Sequence, residues 1–385
     1  MIVAKQSMGG DNMAEQYYDE VRKYTGDMSQ IAGIKSYELL DGKTRGTRAV
    51  DIWTGSGLQC TVVLDRCMDV SMASYKGKSL CWRSPAREVH PYLYEPEGMG
   101  WVHGFFGGLV TTCGLTYLGA PCVDQGEPLS LHGKISYIPA EDIGVKQEWV
   151  GSEYTMSVSG SMRQVSMFGE NLLLRRTITT WLGKSEILLE DEVTNEGYEQ
   201  SPFMFLYHIN IGFPLLSPSS QFISTSEKIA PRDDEAADGI ERFDKYGEPV
   251  PGYHEKVYYH AMKADRDGRV KCAIISEGST QGTYGLGIVY NKSELPEFVQ
   301  WKMEGERYYV LGVEPSNCWT EGRDKEREWG TLQTIKAKEK KKFSVRYTVL
   351  KDEDEVHEVT SSIQKEVGGN RPQVISKDKM IESRK

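Results

Sequence analysis

The sequence is short of most features that mark the commoner functional classes. Its seven cysteines in 385 residues, at Cys60, Cys67, Cys81, Cys113, Cys122, Cys272 and Cys318, form no CxxC pair. Neither a zinc knuckle nor a redox dithiol is encoded, and an odd count so widely spread reads as reduced, buried, small hydrophobes. Positive charge is scarce as well. Lys and Arg number 46 against 56 Asp and Glu, a formal net charge of −10, and the one dense basic run is KAKEKKK at 336–342. A nucleic-acid binder needs a basic stripe to displace counterions from phosphates, and an anionic membrane surface asks for the same, so neither partner is expected.

Long apolar runs are missing too. No stretch nears the roughly 18 uncharged apolar residues of a membrane span, and MIVA before Lys5 is far short of a signal-peptide core, so a cytoplasmic location is expected. There is no phosphate loop of the GxxxxGKS type and no dinucleotide fingerprint in a βαβ setting; QGTYGLGIVY at 281–290 has the glycines but reads as a strand. Helical periodicity is confined to MAEQYYDEVRKY at about 13–24, and no internal repeat of fixed period points to a propeller.

What remains is a globular composition, 39% hydrophobic and 26% charged, dominated by strand signals. Runs rich in β-branched and aromatic residues recur between Gly, Pro, Asn and Asp: IKSYELL, TRAVDIW, LQCTVVL, FMFLYHI, GLGIVY, KFSVRYTVL. The sharpest hairpin lies at 172–194, where Gly183-Lys184 forms a two-residue loop with glycine first. Ile187, Leu189 and Val193 then face one way and Glu186, Glu190 and Glu192 the other, as in an antiparallel sheet buried on one side. Many close strands without helical crossovers predict an all-β sandwich or barrel. The chain divides into an N-terminal helical extension (1–29), one β domain (30–350) and a charged tail (351–385), expected to be mobile or loosely docked and free of chemistry.

Three segments place a titratable residue in an unusual setting. In SLHGKISYIPA at 130–140, His132 precedes Gly133, which suits a turn that presents an imidazole uncrowded; a structural histidine at a strand start is the competing reading. In FMFLYHINIGFPLL at 203–216, His208 and Asn210 interrupt an apolar stretch, and burying them costs free energy unless both find partners, so a polar cavity or a satisfied core histidine follows. In YYVLGVEPSNCWTEG at 308–322, Glu314 ends a strand-like run before Pro315, either as a base whose pKa burial raises or as an exposed strand-end acid. Further polar residues keep apolar company. Arg66 in VVLDRCMDV is either neutralised by its neighbours or reaches into a pocket, and His103 lies between Trp101 and Phe105 in a glycine-rich loop that is either an aromatic platform or simply well packed. PGYHEKVYYH at 251–260 offers His254 and His260 on one face and Glu255 on the other. With 76 residues from His132 to His208 and 106 from His208 to Glu314, only the fold can join the trio; two histidines and a carboxylate are also a familiar metal-ligand set.

Taken in order, Leu131-His132-Gly133, His208 with Asn210 and Phe213, and Glu314-Pro315 resemble the signatures of the aldose 1-epimerases, the galactose mutarotases, over roughly residues 30–350. The segments LDRCMDV, GGLVTTCG, LHGKISYIPA and YHINIGFPLL are similar to an epimerase-like branch of that superfamily. The resemblance implies a large antiparallel β-supersandwich with a short N-terminal helix and an open cleft on one sheet. It implies interconversion of the anomers of an aldose or aldose derivative, with Glu314 as base, His208 as acid and His132 bonded to the sugar near the reacting centre, without metal or organic cofactor. It also implies sugar-binding roles for Arg66, His103 and Asn210, and for Glu255 or His254 where the family carries an aspartate. The partner is then a small sugar, neutral or anionic, and homodimer formation is left open. A non-catalytic carbohydrate-binding protein and a metal-dependent sugar epimerase or lyase are the competing functions.

Overall fold

The computed structural model describes residues 21–277 and 282–385. Residues 21–24 are helical; the rest of the helix expected at 13–24 lies outside the described residues. Among the described residues the chain is a stack of antiparallel sheets, the all-β sandwich that the sequence predicts. A five-stranded sheet runs in sequence order from Gly33–Glu38 to Lys78–Ser79. An eight-stranded sheet has Lys340–Leu350, Glu186–Asn195 and Asn171–Trp181 near its middle. A seven-stranded sheet sets Lys256–Met262, Glu297–Gly305, Tyr308–Ser316, Met204–Gly212 and Thr111–Leu115 side by side. No helix among the described residues is long and apolar enough to cross a membrane.

The hairpin forms where its turn residues place it. Gly183 takes φ +75°, and Thr179 pairs with Leu188 through to Leu172 with Asn195. Ile187, Leu189 and Val193 are buried, as the alternation predicts, and so is Asp191 between them. One continuous core joins all three sheets, drawing on Val50 and Val62, on Ile178, Leu189 and Val345, and on Tyr207, Ile209 and Leu311.

The strand Met204–Gly212 is buried on both faces, which is why its apolar run hardly alternates. Phe205, Tyr207, Ile209 and Ile211 enter the inter-sheet core. Met204 and Leu206 pack on the opposite side with Trp82, Trp101 and Phe105, in the layer that forms the cavity described below.

The C-terminal segment departs from expectation. It is docked rather than mobile. The helix Glu353–Val367, capped by Asp352 accepting from the Glu355 amide, buries Val356 and Ile363 against Ala273, Ile275 and Leu350. Gln373–Val374 adds a parallel strand beside Ser226–Pro231, and Lys377–Glu382 buries Met380 and Ile381 against Tyr259 and Trp319. Average composition hid the pattern: Val356, Val359 and Ile363 fall at helical spacing, each full burial being worth about 1.5–3 kcal/mol, and the charges between them remain on the wet face.

Candidate functional site

Pairing of Ile209 with Val313 sets the strands Met204–Gly212 and Tyr308–Ser316 in a register that brings His208 alongside Glu314. His208 Nε2 stands 3.4 Å from Glu314 Oε1, both side chains almost wholly buried. On the same strand as the carboxylate, Gly312 makes the arrangement feasible. A Cβ there would lie 2.4 Å from Glu314 Oε1 and 2.8 Å from the Cβ of Trp301 on the facing strand, so a methyl group would evict the carboxylate.

His132 arrives from a turn. It adopts φ +54°, its amide donates to the Gly119 carbonyl and its carbonyl accepts from the Gly114 amide. The glycine that follows is required by crowding as well as by its φ of +81°: a Cβ on Gly133 would sit 2.2 Å from the Gly114 carbonyl oxygen. The imidazole so presented lies with its ring centroid 5.8 Å from that of His208, edge to face. Trp101 packs 4.8 Å from His132, while Phe105 and Trp301 pack 5.1 and 5.5 Å from His208, centroid to centroid.

These groups line a cavity of about 540 Å³, a size common for small-molecule sites. Trp82, Trp101, Phe105, Trp301 and Tyr308 supply its aromatic surface. Its polar groups are His132, His208, Glu314, Arg232 and Glu255, with Ser84 and Thr320. His132 Nδ1, His208 Nδ1 and Glu314 Oε1 are buried without a hydrogen-bond partner within the chain. Buried polar atoms are rarely left so, and all three belong to residues that line this one cavity.

Burial also decides where the proton sits. It pushes the Glu314 carboxyl well above the usual carboxylate range, and the nearby Glu255 charge pushes it further against the opposing Arg232. Burial lowers His132 to about 4 and, helped by the neighbouring His132, lowers His208 to about 3. Burial therefore favours neutral imidazoles and works against ionisation of the carboxyl. Among the described residues no three His, Cys, Asp or Glu side chains are grouped so as to hold a metal ion.

The remaining candidates scatter. Arg66 is fully buried and does not reach the cavity: it donates to the carbonyls of Ser136 (2.6 Å), Val89 (3.0 Å) and Gly104 (3.0 Å) and lies 3.9 Å over the Tyr137 ring. It ties three loops together, which is a structural duty that corrects its expected role in binding hydroxyls. His103 is turned outward by the short helical turn Gly100–Gly104 and pairs with Glu95 at the surface (2.8 Å), outside the cavity that Val102 and Phe105 line. Asn210 is fully buried, donating to the His208 carbonyl at 2.8 Å, and it too lies outside the cavity. His254 is exposed on the turn before Lys256–Met262, whereas its neighbour Glu255 faces the cavity, accepting from Trp301 Nε1 at 2.8 Å. His260 belongs to the core, bonded to Ser226 and Gln300.

Arg232 was not legible beforehand. It follows directly on the strand Ser226–Pro231, with Nε bonded to Asp233 at 2.8 Å and Nη1 to Glu255 at 3.0 Å. In the sequence it is one basic residue beside Asp233, Asp234 and Glu235, which reads as a solvated turn. Trp301 was equally missed; its alternation with buried Gln300 and Lys302 along the strand was the available signal.

A family model described as a domain of unknown function (DUF4432) matches residues 44–349. No curated protein matches the chain. Among solved structures, a candidate aldose 1-epimerase from Klebsiella pneumoniae is 25% identical, with a TM-score of 0.83 over 89% of this chain and 90% of that one. A galactose mutarotase-like protein from Clostridium acetobutylicum is 11% identical, with a TM-score of 0.58 over 83% of this chain and 99% of that one. The galactose 1-epimerase of Lactobacillus acidophilus is 12% identical, with a TM-score of 0.53 over 83% and 99%. At 11% and 12% identity the likeness is one of fold, and that fold is the galactose mutarotase-like sandwich.

Proposed function

The chain belongs to the DUF4432 family, and from that premise and the geometry of its cavity we propose that it is a carbohydrate isomerase interconverting the anomers of an aldose. One observation carries the reading: His208 and Glu314 line the same aromatic cavity with Nε2 and Oε1 3.4 Å apart, close enough to serve one substrate as an acid/base pair. The 25% identical Klebsiella pneumoniae structure supports it.

Anomer exchange needs little more than such a pair. Ring opening takes the proton from the C1 hydroxyl and delivers one to the ring oxygen as the bond between C1 and that oxygen breaks, leaving an open-chain aldehyde. After the carbonyl turns its other face, ring closure reverses both transfers, and the pair regains its starting state. Each group therefore acts once as donor and once as acceptor in a turnover, so the bound sugar has to bring together two proton affinities that burial alone drives apart. The resemblance assigns the C1 side to Glu314 and the ring oxygen to His208. Burial favours the proton on Glu314 over His208; sugar hydroxyls that bond Glu314 Oε1 would favour its carboxylate and pass the proton to His208. His132 offers a third bond beside the reacting carbon. Trp82, Phe105 and Trp301 present flat apolar surface to the C–H face of the sugar ring.

Exchange NMR on freshly dissolved aldoses tests the proposal. Wild-type protein should accelerate equilibration of at least one, and Glu314→Gln should lose about 10² to 10⁴ of that acceleration. Saturable binding with no acceleration of any sugar would leave a binding protein without turnover.

A further inference from the structure

We infer that the cavity is built for an uncharged sugar and that Glu255 enforces this by occupying the guanidinium of Arg232. The inference names the substrate class for the site proposed above and rests on that reading. Arg232 is the one Lys or Arg among the described residues that line the cavity. An unengaged guanidinium there would be a ready fork for a phosphate, a sulfonate or a uronate carboxylate. It is not unengaged. Nε donates to Asp233 Oδ2 at 2.8 Å and Nη1 to Glu255 Oε1 at 3.0 Å, so two carboxylates balance one cation. Trp301 fixes Glu255 from the other side through its Nε1 at 2.8 Å, and two further cations are spent elsewhere, Lys377 on the Arg232 carbonyl and on Glu321 at 2.7 Å, Lys256 on Glu235.

An anionic sugar brought to this wall would meet the Glu255 carboxylate and gain a guanidinium already shared with Glu255 and with Asp233 outside the cavity. A neutral vicinal diol fits better. Each hydroxyl both donates and accepts, so one can take a hydrogen bond from the remaining Nη protons while its neighbour gives one to Glu255. With half of the Glu255 side chain exposed, the discrimination is a local one between charges a few ångströms apart.

The test is tryptophan-fluorescence titration, reading Trp82, Trp101 and Trp301, with glucose, galactose and xylose and with the matching sugar phosphates and uronates, alongside anomer-exchange NMR on the same set. Wild-type protein should bind at least one neutral sugar about tenfold or more tighter than its anionic counterparts. Glu255→Gln keeps an oxygen for Trp301 and releases Arg232, so it should narrow or invert that ratio, chiefly by tightening the anions. Anions that bind wild type as tightly as neutral sugars, or a ratio unmoved in Glu255→Gln, would overturn the inference even where exchange is fast. Neutral selectivity without exchange on any sugar would uphold the inference while the isomerase reading fails. No binding of any sugar would overturn both.

Discussion

Tyr207 and His208 are neighbours on Met204–Gly212 and face opposite sides of the sheet, into two buried polar clusters built to different rules. Behind the strand, Tyr207 donates to Asp191 at 2.7 Å, and Asp191 shares Arg176 with Asp69. Every N–H of that guanidinium is used, on Asp191 twice, on Asp69, on the Cys67 carbonyl and on Thr112. In front of the strand, His208, His132 and Glu314 each keep a buried polar atom without a partner. The chain that satisfied five donors on one face left three atoms open on the other. A closed network of this kind holds the sheets in register, whereas an open one awaits a ligand's hydrogen bonds.

Crossed substitutions break that comparison if it is wrong. Glu314→Gln should cost about 10² to 10⁴ in exchange rate while its urea midpoint stays near wild type, since an amide of the same shape replaces a carboxyl whose charge burial disfavours. A large loss of stability would show that the front cluster is structural. Next in size, Arg176→Met should cost about 3–5 kcal/mol in urea unfolding, because Asp69 and Asp191 would be left buried beside an apolar chain, and the protein that remains folded should keep its specific activity. A midpoint within error of wild type would remove the register argument.

Acid sharpens the contrast. Burial lowers His132 and His260 to about 4 and His208 to about 3 from 6.5. The folded state thus favours neutral imidazoles, and the stability they contribute is whole above pH 6.5 and lost as pH falls through about 4. Asp69 works the other way, raised to about 6 by burial, so its contribution is present at low pH and fades as pH rises through 6. Glu314, Glu294 and Glu297, which burial also raises, act in the same sense as Asp69; thermal scans between pH 6.5 and 4 read the balance, with the three imidazoles pulling the melting temperature down along that limb. His260→Gln, distant from the cavity and bonded to Ser226 and Gln300, should flatten that limb by on the order of 2 kcal/mol; an unchanged slope would assign the acid loss elsewhere. The smallest effect belongs to His103→Ala, which removes an exposed pair with Glu95: stability should move by less than about 0.5 kcal/mol and exchange by nothing measurable.

Such differences also explain which residues were readable in the sequence. The chemistry of His132, His208 and Glu314 shows locally, because each interrupts an apolar run or sits in a turn whose geometry a neighbouring Gly or Pro dictates. The strands and the Gly183-Lys184 hairpin were legible for the same reason, their period being a short-range property. Arg66 deceived because what satisfies it lies 23 to 70 residues away, in carbonyls that carry no side-chain signature. His103 and Asn210 stand beside lining residues but point elsewhere, which spacing alone does not settle in short helical turns or in strands buried on both faces. Arg232 escaped through the opposite error, its charged neighbours suggesting solvent when the fold supplies Glu255 from the segment before Lys256–Met262, itself held by Trp301 of Glu297–Gly305. In the C-terminal segment the averaged polarity outweighed three apolar residues at the right interval.

Gly133 and Gly312 give the site an unusual vulnerability. Both keep room for chemistry by what they omit, so the least addition that protein chemistry allows, a single carbon, is enough to displace the carboxylate at one position or the turn that aims the imidazole at the other. The rest of each clash falls on Trp301 in the aromatic wall and on the Gly114 carbonyl at the sheet edge. Within this architecture, catalyst and mere receptor are therefore separated by one methyl group, and members of the family that carry alanine at either place should be sought among those that hold sugars without transforming them.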